Sequence, residues 1–143
     1  PIQDGIDVMT VGGVTFKRYL EIAKILNKET AVVTDNDGNI KAITDKYKEY
    51  EGIPFIHICF DKVVDTGNLK LSDKNFNYNT LEPKILKENG REVLNNIFGT
   101  DYNTDDEMHK YMHAHKTDCA IAIFESATKI KYPEYIMRAI KNE

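Results

Sequence analysis

The sequence has few cysteines, no long apolar run and no common nucleotide-binding loop. Its two cysteines, Cys59 and Cys119, show no spacing pattern, which argues against a disulfide scaffold and fits the reducing cytoplasm. No apolar run approaches the length of a membrane span, so we expect no membrane association. The Gly-x-Gly-x-x-Gly and Walker patterns are both missing, which excludes these two phosphate-binding loops.

An excess of basic residues is also lacking, because the net charge is −4. We therefore do not expect a general nucleic-acid binder, and any contact with DNA needs local patches, neighbouring domains or bound cations. Hydrophobic residues make up 41% of the sequence and charged residues 29%, which is typical of a globular protein. The length suits one domain, and no repeat or linker divides it, so we predict a single domain over residues 1–143.

The first part of the chain predicts a βαβ unit. Residues 6–11 alternate and are followed by Gly12-Gly13, which indicates a short strand and a turn. An amphipathic helix of about three turns begins near Thr15. The β-branched run at residues 30–34 predicts the next strand. A strand, a helix and a strand in this order usually give parallel strands with a right-handed crossover.

The rest of the chain adds one strand and then becomes helical. Residues 55–60 are apolar and suit a strand, whereas residues 61–79 are polar and poorly patterned, as functional or mobile loops often are. Together these patterns predict the α/β class, a Rossmann-like parallel sheet flanked by helices with a helical C-terminal part. The predicted helices are residues 43–51, 83–88, 91–98, 104–124 and a final one from Pro133.

Two carboxylates, Asp35 and Asp37, follow directly on the strand predicted at residues 30–34. Residues two apart project to the same side, so both acids can approach one or two divalent cations. The carboxyl end of a strand is also where ligands bind in open α/β sheets. The alternative is a plain turn, since Asp-Asn-Asp-Gly-Asn is strongly turn-forming. An EF-hand is excluded, because Gly38 comes two places early and Lys46 replaces the closing glutamate.

Two later segments hold weaker candidates. Asn79 or Thr80 can cap a helix in which Glu82 complements the dipole and Pro83 lies in the first turn, so local structure explains them fully. Lys116 is predicted midway along a helix, where a cation could face an anionic intermediate, although its spacing alone indicates a surface residue. A solvated helix face, rather than a zinc site, is predicted for the histidines of that helix: His109, His113 and His115.

Taken together, these segments resemble one family, the Toprim domains of OLD-family (overcoming lysogenization defect) nucleases. The similar segments are Val11-Gly12-Gly13 with the helix after it, Ala31 to Asn39, Thr80 to Pro83 and His115 to Ala120. The Asp-x-Asp is shared by Toprim proteins in general, and its combination with the two later segments is more specific. The resemblance extends over nearly the whole chain.

The resemblance implies a metal-dependent endonuclease that nicks or cleaves DNA with two Mg²⁺ or Mn²⁺ ions at the carboxyl edge of the sheet. Asp35 and Asp37 match the metal ligands of the Asp-x-Asp, and Thr80 and Glu82 match the pair that completes the metal shell. Lys116 matches a lysine that stabilises the transition state, so the implied catalytic residues are Asp35, Asp37, Glu82 and Lys116. Further implications are an N-terminal ABC-type ATPase domain, which alone binds ATP, a homodimer of the full protein and a role in phage defence.

One departure concerns the glutamate that Toprim domains carry on their first strand, usually before a glycine. Asp4-Gly5 lies too close to the strand predicted at residues 6–11, and no apolar strand precedes it. We therefore expect the first strand and its catalytic glutamate to lie upstream, in a longer protein of which this chain is the C-terminal part.

Two other functions fit parts of the pattern. A strand followed by Asp-x-Asp-Gly-Asn also resembles haloacid-dehalogenase-like phosphatases, in which Asp35 would be the nucleophile and Asp37 the acid/base. Against this, a strand and a helix are predicted before the motif, and the later pair Asp105-Asp106 caps a helix instead of following a strand. The other alternative is a non-catalytic, Rossmann-like interaction module whose Asp-rich segment is only a turn.

The missing glutamate generates a prediction about activity. The 143-residue chain should bind Mg²⁺ or Mn²⁺ weakly and nick supercoiled plasmid DNA poorly or not at all, because its metal shell is incomplete. Gel electrophoresis of the plasmid, with Asp35→Asn as the control, measures this. Robust nicking that the substitution abolishes would show that the upstream glutamate is not needed.

Overall fold

The structure, a computed structural model, describes residues 5–12, 15–67, 69, 71–72 and 76–141. Within these ranges it contains two strands and seven α-helices, and a 3₁₀ turn at Lys48–Tyr50. None of the helices in this described part is long and apolar enough to cross a membrane. The elements are β1 (Thr30–Val33) and β2 (Ile56–Cys59), with α1 (Phe16–Leu26), α2 (Ile40–Tyr47), α3 (Leu81–Asn89), α4 (Arg91–Phe98), α5 (Asp105–Ala114), α6 (Lys116–Glu125) and α7 (Glu134–Lys141).

The sheet is small and parallel. β1 pairs with β2 in register, from Thr30 opposite Ile56 to Val33 opposite Cys59. Because parallel strands need a crossover, α2 makes the connection between them. The predicted α/β class, with a parallel sheet flanked by helices and a helical C-terminal part, is confirmed, and the described sheet has two strands.

The strand predicted at residues 6–11 is wrong. Residues 5–12 form no strand, and Val8 and Met9 are 82% and 63% exposed. A strand needs a neighbour that takes up its backbone hydrogen bonds, and the described sheet places none beside this segment. Within the described residues, the βαβ unit is therefore β1–α2–β2, and α1 precedes it.

The single long helix predicted at residues 104–124 is also wrong, because it is two helices. α5 begins with a capping box in which Thr104 and Glu107 bond each other's backbone amides, and it ends at His115, whose φ of −125° and ψ of 44° are not helical. After this break α6 packs against both α4 and α5. The remaining helices predicted from the sequence are present as α1, α2, α3, α4 and α7.

Two hydrophobic cores support these elements. α7 packs against both strands, so it covers the sheet close to the carboxyl ends discussed below. The first core joins α1, α2 and the sheet, and its buried members are Phe16, Leu20, Ile43, Tyr47, Tyr50 and Ile56. The second core joins α3 to α6, and its buried members are Ile85, Leu86, Leu94, Met108, Met112 and Cys119.

Part of the irregular segment 61–79 is fastened to α3. The buried Lys84 forms an ion pair with Asp61, and Lys87 forms one with Asp65 at 2.7 Å. Further along, Gly67 lies against the ring of Tyr78, and the Tyr78 hydroxyl donates to the Leu69 carbonyl at 3.3 Å. The described part of the segment after β2 is thus held against α3.

This contact predicts different outcomes for two glycine substitutions. A Cβ at Gly67 would overlap the Tyr78 ring, whereas a Cβ at Gly52 would meet nothing within 4 Å. Both glycines have left-handed φ values, 86° and 79°, so either alanine costs about 1–2 kcal/mol of backbone strain. Gly67→Ala should lower the free energy of unfolding by roughly 1–3 kcal/mol more than Gly52→Ala, as measured by urea denaturation. Equal losses would show that Tyr78 moves aside freely.

Candidate functional site

Asp35 lies where the chain leaves β1, and its carboxylate is half-buried. Burial raises the pKa of this carboxyl above its ordinary value of 3.8, and the negative charges of Asp37 and Glu82 raise it further. Two groups oppose the rise, the Tyr135 hydroxyl, which donates to Oδ1 of Asp35 at 3.1 Å, and the charge of Lys84. Ionisation of Asp35 is therefore less favourable in the folded protein than for a carboxyl in water, and a nearby positive charge would favour it.

Asn36, between the two acids, is fully buried and holds the turn in place. Its side-chain amide donates to the carbonyls of Asp61 at 2.8 Å and Val63 at 3.1 Å, and its side-chain oxygen accepts from the Gly38 amide at 2.8 Å. Asp37 then adopts a left-handed φ of 49°, which aspartate tolerates better than most residues. The conformation of the Asp-Asn-Asp-Gly turn is therefore fixed by the hydrogen bonds of the buried Asn36 side chain.

Glu82 enters the site from the first turn of α3, and its side chain is 16% exposed. Lys116 Nζ lies 2.6 Å from its Oε1. Burial opposes ionisation of Glu82, but the hydrogen bond and charge of Lys116, a backbone hydrogen bond and the nearby His113 outweigh it. The pKa of Glu82 therefore lies below its ordinary value of 4.5, and the group is a carboxylate at neutral pH.

Lys116 is not midway along a helix, as the sequence predicted, but is the first residue of α6. Its side chain is 58% exposed, which agrees with the surface position that its spacing indicates. Thr80 occupies the N-cap position of α3, yet its side chain makes no capping bond and instead donates to the Asn77 carbonyl at 3.4 Å. The Lys116 side chain therefore contacts Glu82, and Thr80 lies two residues before Glu82 in the sequence.

The histidines of α5 and its end divide into two kinds. His113 and His115 are exposed, as a solvated face predicts. His109 departs from that prediction, because it is buried at 5% exposure and its ring lies 4.2 Å from the Phe76 ring, centroid to centroid. Burial, then the charge of His113, lowers its pKa. Among the described residues its Nε2 has no hydrogen-bond partner.

The donor chemistry of the acidic residues fits a hard divalent cation. Asp35, Asp37 and Glu82 supply carboxylate oxygens, which Mg²⁺ and Mn²⁺ prefer, and the charges of Asp37 and Glu82 act on Asp35. In the described conformation, however, no three histidine, cysteine or acidic side chains of the described residues are grouped closely enough to hold a metal ion. A cation could therefore bind only after some of these side chains approach one another and Lys116 leaves Glu82.

Three contributors were not found from the sequence. The turn-forming sequence gives Asn36 no role of its own, although its side chain bonds three backbone groups and so fixes the turn. Tyr135 lies in an apolar helical pattern that indicates only a core position. Lys84, which is buried and pairs with the partly exposed Asp61, comes directly after Pro83 on α3, where a charged residue is expected to face solvent. Of these three residues, only Asn36 has a feature in the local sequence that points to the site, because it lies between two acids in a turn.

A family model matches the start of the chain. Residues 1–37 match the model described as "Overcoming lysogenization defect protein-like, TOPRIM domain". The matched segment includes α1, β1 and both acids of the Asp-x-Asp, so the predicted resemblance is confirmed over these residues. This match supports a domain of the nuclease or nucleotidyl-transfer type, and Toprim domains generally bind divalent metals. No curated protein matches the chain, and no solved structure matches it.

The buried amide of Asn36 predicts a large loss of stability on truncation. Asn36→Ala removes a buried side chain that hydrogen-bonds the Asp61 and Val63 carbonyls and the Gly38 amide, so the free energy of unfolding should fall by about 2–4 kcal/mol. Asn39→Ala is the matched control, because Asn39 is exposed and caps α2 through the Ala42 amide at 3.0 Å, a contact worth about 1 kcal/mol. Equal losses in urea denaturation would contradict a structural role for Asn36.

The raised pKa of Asp35 predicts that its ionised form weakens the fold. The native state binds this proton more tightly than the unfolded state, so the penalty is present at neutral pH and disappears as the pH falls through the raised pKa towards 3.8. In cation-free buffer, Asp35→Asn should raise the melting temperature at neutral pH by about 2–5 °C, since asparagine still accepts from Tyr135. The gain should shrink as the pH falls. A variant less stable than the wild type at neutral pH would contradict this.

Proposed function

We propose that this chain is the catalytic part of a metal-dependent DNA endonuclease that hydrolyses phosphodiesters by a two-metal mechanism. The observation that carries the proposal is that two acids from different parts of the chain, Asp37 in the turn after β1 and Glu82 at the start of α3, both act electrostatically on Asp35. Asp37 and Glu82 are 45 positions apart in the sequence. The match of residues 1–37 to a Toprim model supports the same class of function.

Within this proposal the acidic residues and Thr80 hold Mg²⁺ or Mn²⁺. The chemistry that these ions supply, once bound, is activation of the attacking water and stabilisation of the leaving oxygen. Asp35 and Asp37 come from one fixed turn, so the backbone that carries them is set before binding, whereas Glu82 must first give up its ion pair with Lys116. The freed Lys116 ammonium is exposed and can then face the anionic phosphate of the substrate.

The proposed substrate is DNA, with the ATPase domain and a second copy as further partners. A chain of net charge −4 attracts DNA poorly through its overall field, so binding should depend on neutralisation of the acidic site by cations. An ABC-type ATPase domain in the same protein, a homodimer and a cytoplasmic role in phage defence complete the proposal. They follow from the resemblance to OLD-family proteins, and ATP would bind to the ATPase domain alone.

The phosphatase alternative is weaker than the endonuclease. One argument against it no longer holds, since residues 5–12 form no strand before β1. The other still stands, because Asp105 and Asp106 lie in the first turn of α5 and pair with Arg91 and Lys110. Beryllofluoride bound at Asp35, or turnover of a simple phosphomonoester, would favour the phosphatase.

Cation binding is the most direct test of the proposed site. Mn²⁺ in tenfold excess over its dissociation constant should stabilise the protein by about 1.4 kcal/mol and raise the melting temperature by about 3–5 °C. Asp35→Asn and Asp37→Asn should each remove this response. Asp45→Asn is the control, because Asp45 is an exposed acid paired with Lys41 on α2, and it should keep the response. No shift in the wild type, or an unchanged shift in both site variants, favours the interaction module.

Activity is tested in the protein extended by the residues encoded upstream. It should nick supercoiled plasmid only with Mg²⁺ or Mn²⁺, and Asp35→Asn should abolish nicking while Asp45→Asn retains it. Phosphomonoester turnover without nicking would refute the endonuclease.

The ion pair between Lys116 and Glu82 generates a further prediction. Lys116 competes with a cation for the Glu82 carboxylate, so Lys116→Gln should tighten Mn²⁺ binding by about two- to fivefold, the worth of an exposed ion pair. Lys110→Gln is the control, since Lys110 is exposed and pairs with Asp106 at 2.5 Å, and it should leave the affinity unchanged. Weaker Mn²⁺ binding in Lys116→Gln, measured by calorimetry, would show that Lys116 does not compete.

A further inference from the structure

Tyr135 connects the C-terminal helix to the candidate site. It lies in the first turn of α7, is only 3% exposed, and donates from its hydroxyl to Oδ1 of Asp35 at 3.1 Å. The two residues are 100 positions apart in the sequence. Their contact therefore depends on how α7 docks on the sheet.

A second polar contact fixes that docking. Arg138, three residues after Tyr135, donates from Nη2 to the carbonyl of Phe60 at 2.9 Å, just beyond the end of β2. Residues three apart lie on the same face of a helix. α7 is thus anchored next to the carboxyl ends of both strands, and the Tyr135 hydroxyl is held by the packing of its own helix.

We propose that Tyr135 is a positioning residue, which fixes the Asp35 carboxylate through Oδ1 and so presents Oδ2 to the cation. The inference rests on the proposed function. A carboxylate that accepts no hydrogen bond can rotate about its terminal bond, and this freedom is lost when a cation binds. A hydrogen bond from a buried tyrosine removes that rotation in advance, as partners of metal ligands commonly do.

A purely structural role is the competing explanation, because a buried aromatic ring also fills space between α7 and the sheet. Tyr135→Phe separates the two roles, since it keeps the ring and removes only the hydroxyl. Tyr50→Phe is the matched control, because Tyr50 is a 1% exposed tyrosine of the first core. Both variants lose one buried hydroxyl, and only Tyr135 contacts Asp35.

The experiment measures Mn²⁺ affinity by calorimetry, together with the melting temperature in cation-free buffer and the helical circular dichroism. Tyr135→Phe should keep its helices and bind Mn²⁺ roughly tenfold more weakly than the wild type. Tyr50→Phe should bind Mn²⁺ as the wild type does, even where its melting temperature falls by a similar amount.

The outcomes distinguish the inference from the proposed function. If the wild type binds Mn²⁺ and Tyr135→Phe binds it equally well, Tyr135 is structural and only the inference is overturned. An equal loss of affinity in both tyrosine variants also overturns it, because the effect then follows stability. If the wild type binds no Mn²⁺, the proposed function and the inference are overturned together.

Discussion

Repulsion among carboxylates at the carboxyl end of β1 is the constraint on which the candidate site depends. Burial raises the pKa of Asp35, and the charges of Asp37 and Glu82 raise it further. In the absence of a cation, the fold offsets this repulsion with neighbours of two kinds, the Tyr135 hydroxyl at Asp35 and the Lys116 ammonium at Glu82. The proposed function accounts for this concentration of negative charge, because a bound cation would neutralise it.

The same acids are held by contacts that reach across the fold. Asn36 ties the turn after β1 to the segment after β2, and that segment is tied in turn to α3 by the pairs Asp61–Lys84 and Asp65–Lys87. Because Glu82 lies in the first turn of α3, these contacts couple the position of Glu82 to that of the two aspartates. A small two-stranded sheet can therefore position acids from distant parts of the sequence, through buried polar groups as well as through its hydrophobic cores.

Local features were predictable from the sequence, and features that depend on a distant partner were not. The β-branched run before Asp35 and the turn-forming Asp-Asn-Asp-Gly follow from side-chain sterics and turn chemistry, which act over a few residues. Residues 6–11 alternate like a strand, yet no described strand pairs with them. The helix break at His115 follows from the packing of α6 on α4 and α5, and the contact of Tyr135 with Asp35 joins residues 100 positions apart. The hydrophobic periodicity of the sequence contains no information on the packing of α6 or on the contact between Tyr135 and Asp35.

The central claim is that one cation site joins the turn after β1 to the start of α3. Paramagnetic broadening by substoichiometric Mn²⁺ in amide-resolved NMR spectra tests it most directly, because broadening falls steeply with distance from the ion. The amide signals of residues 35–38, Leu81, Glu82 and Lys84 should broaden first, followed by that of Lys116. Broadening that begins instead at the acidic start of α5, Asp105 to Glu107, and spares residues 35–38 would contradict it.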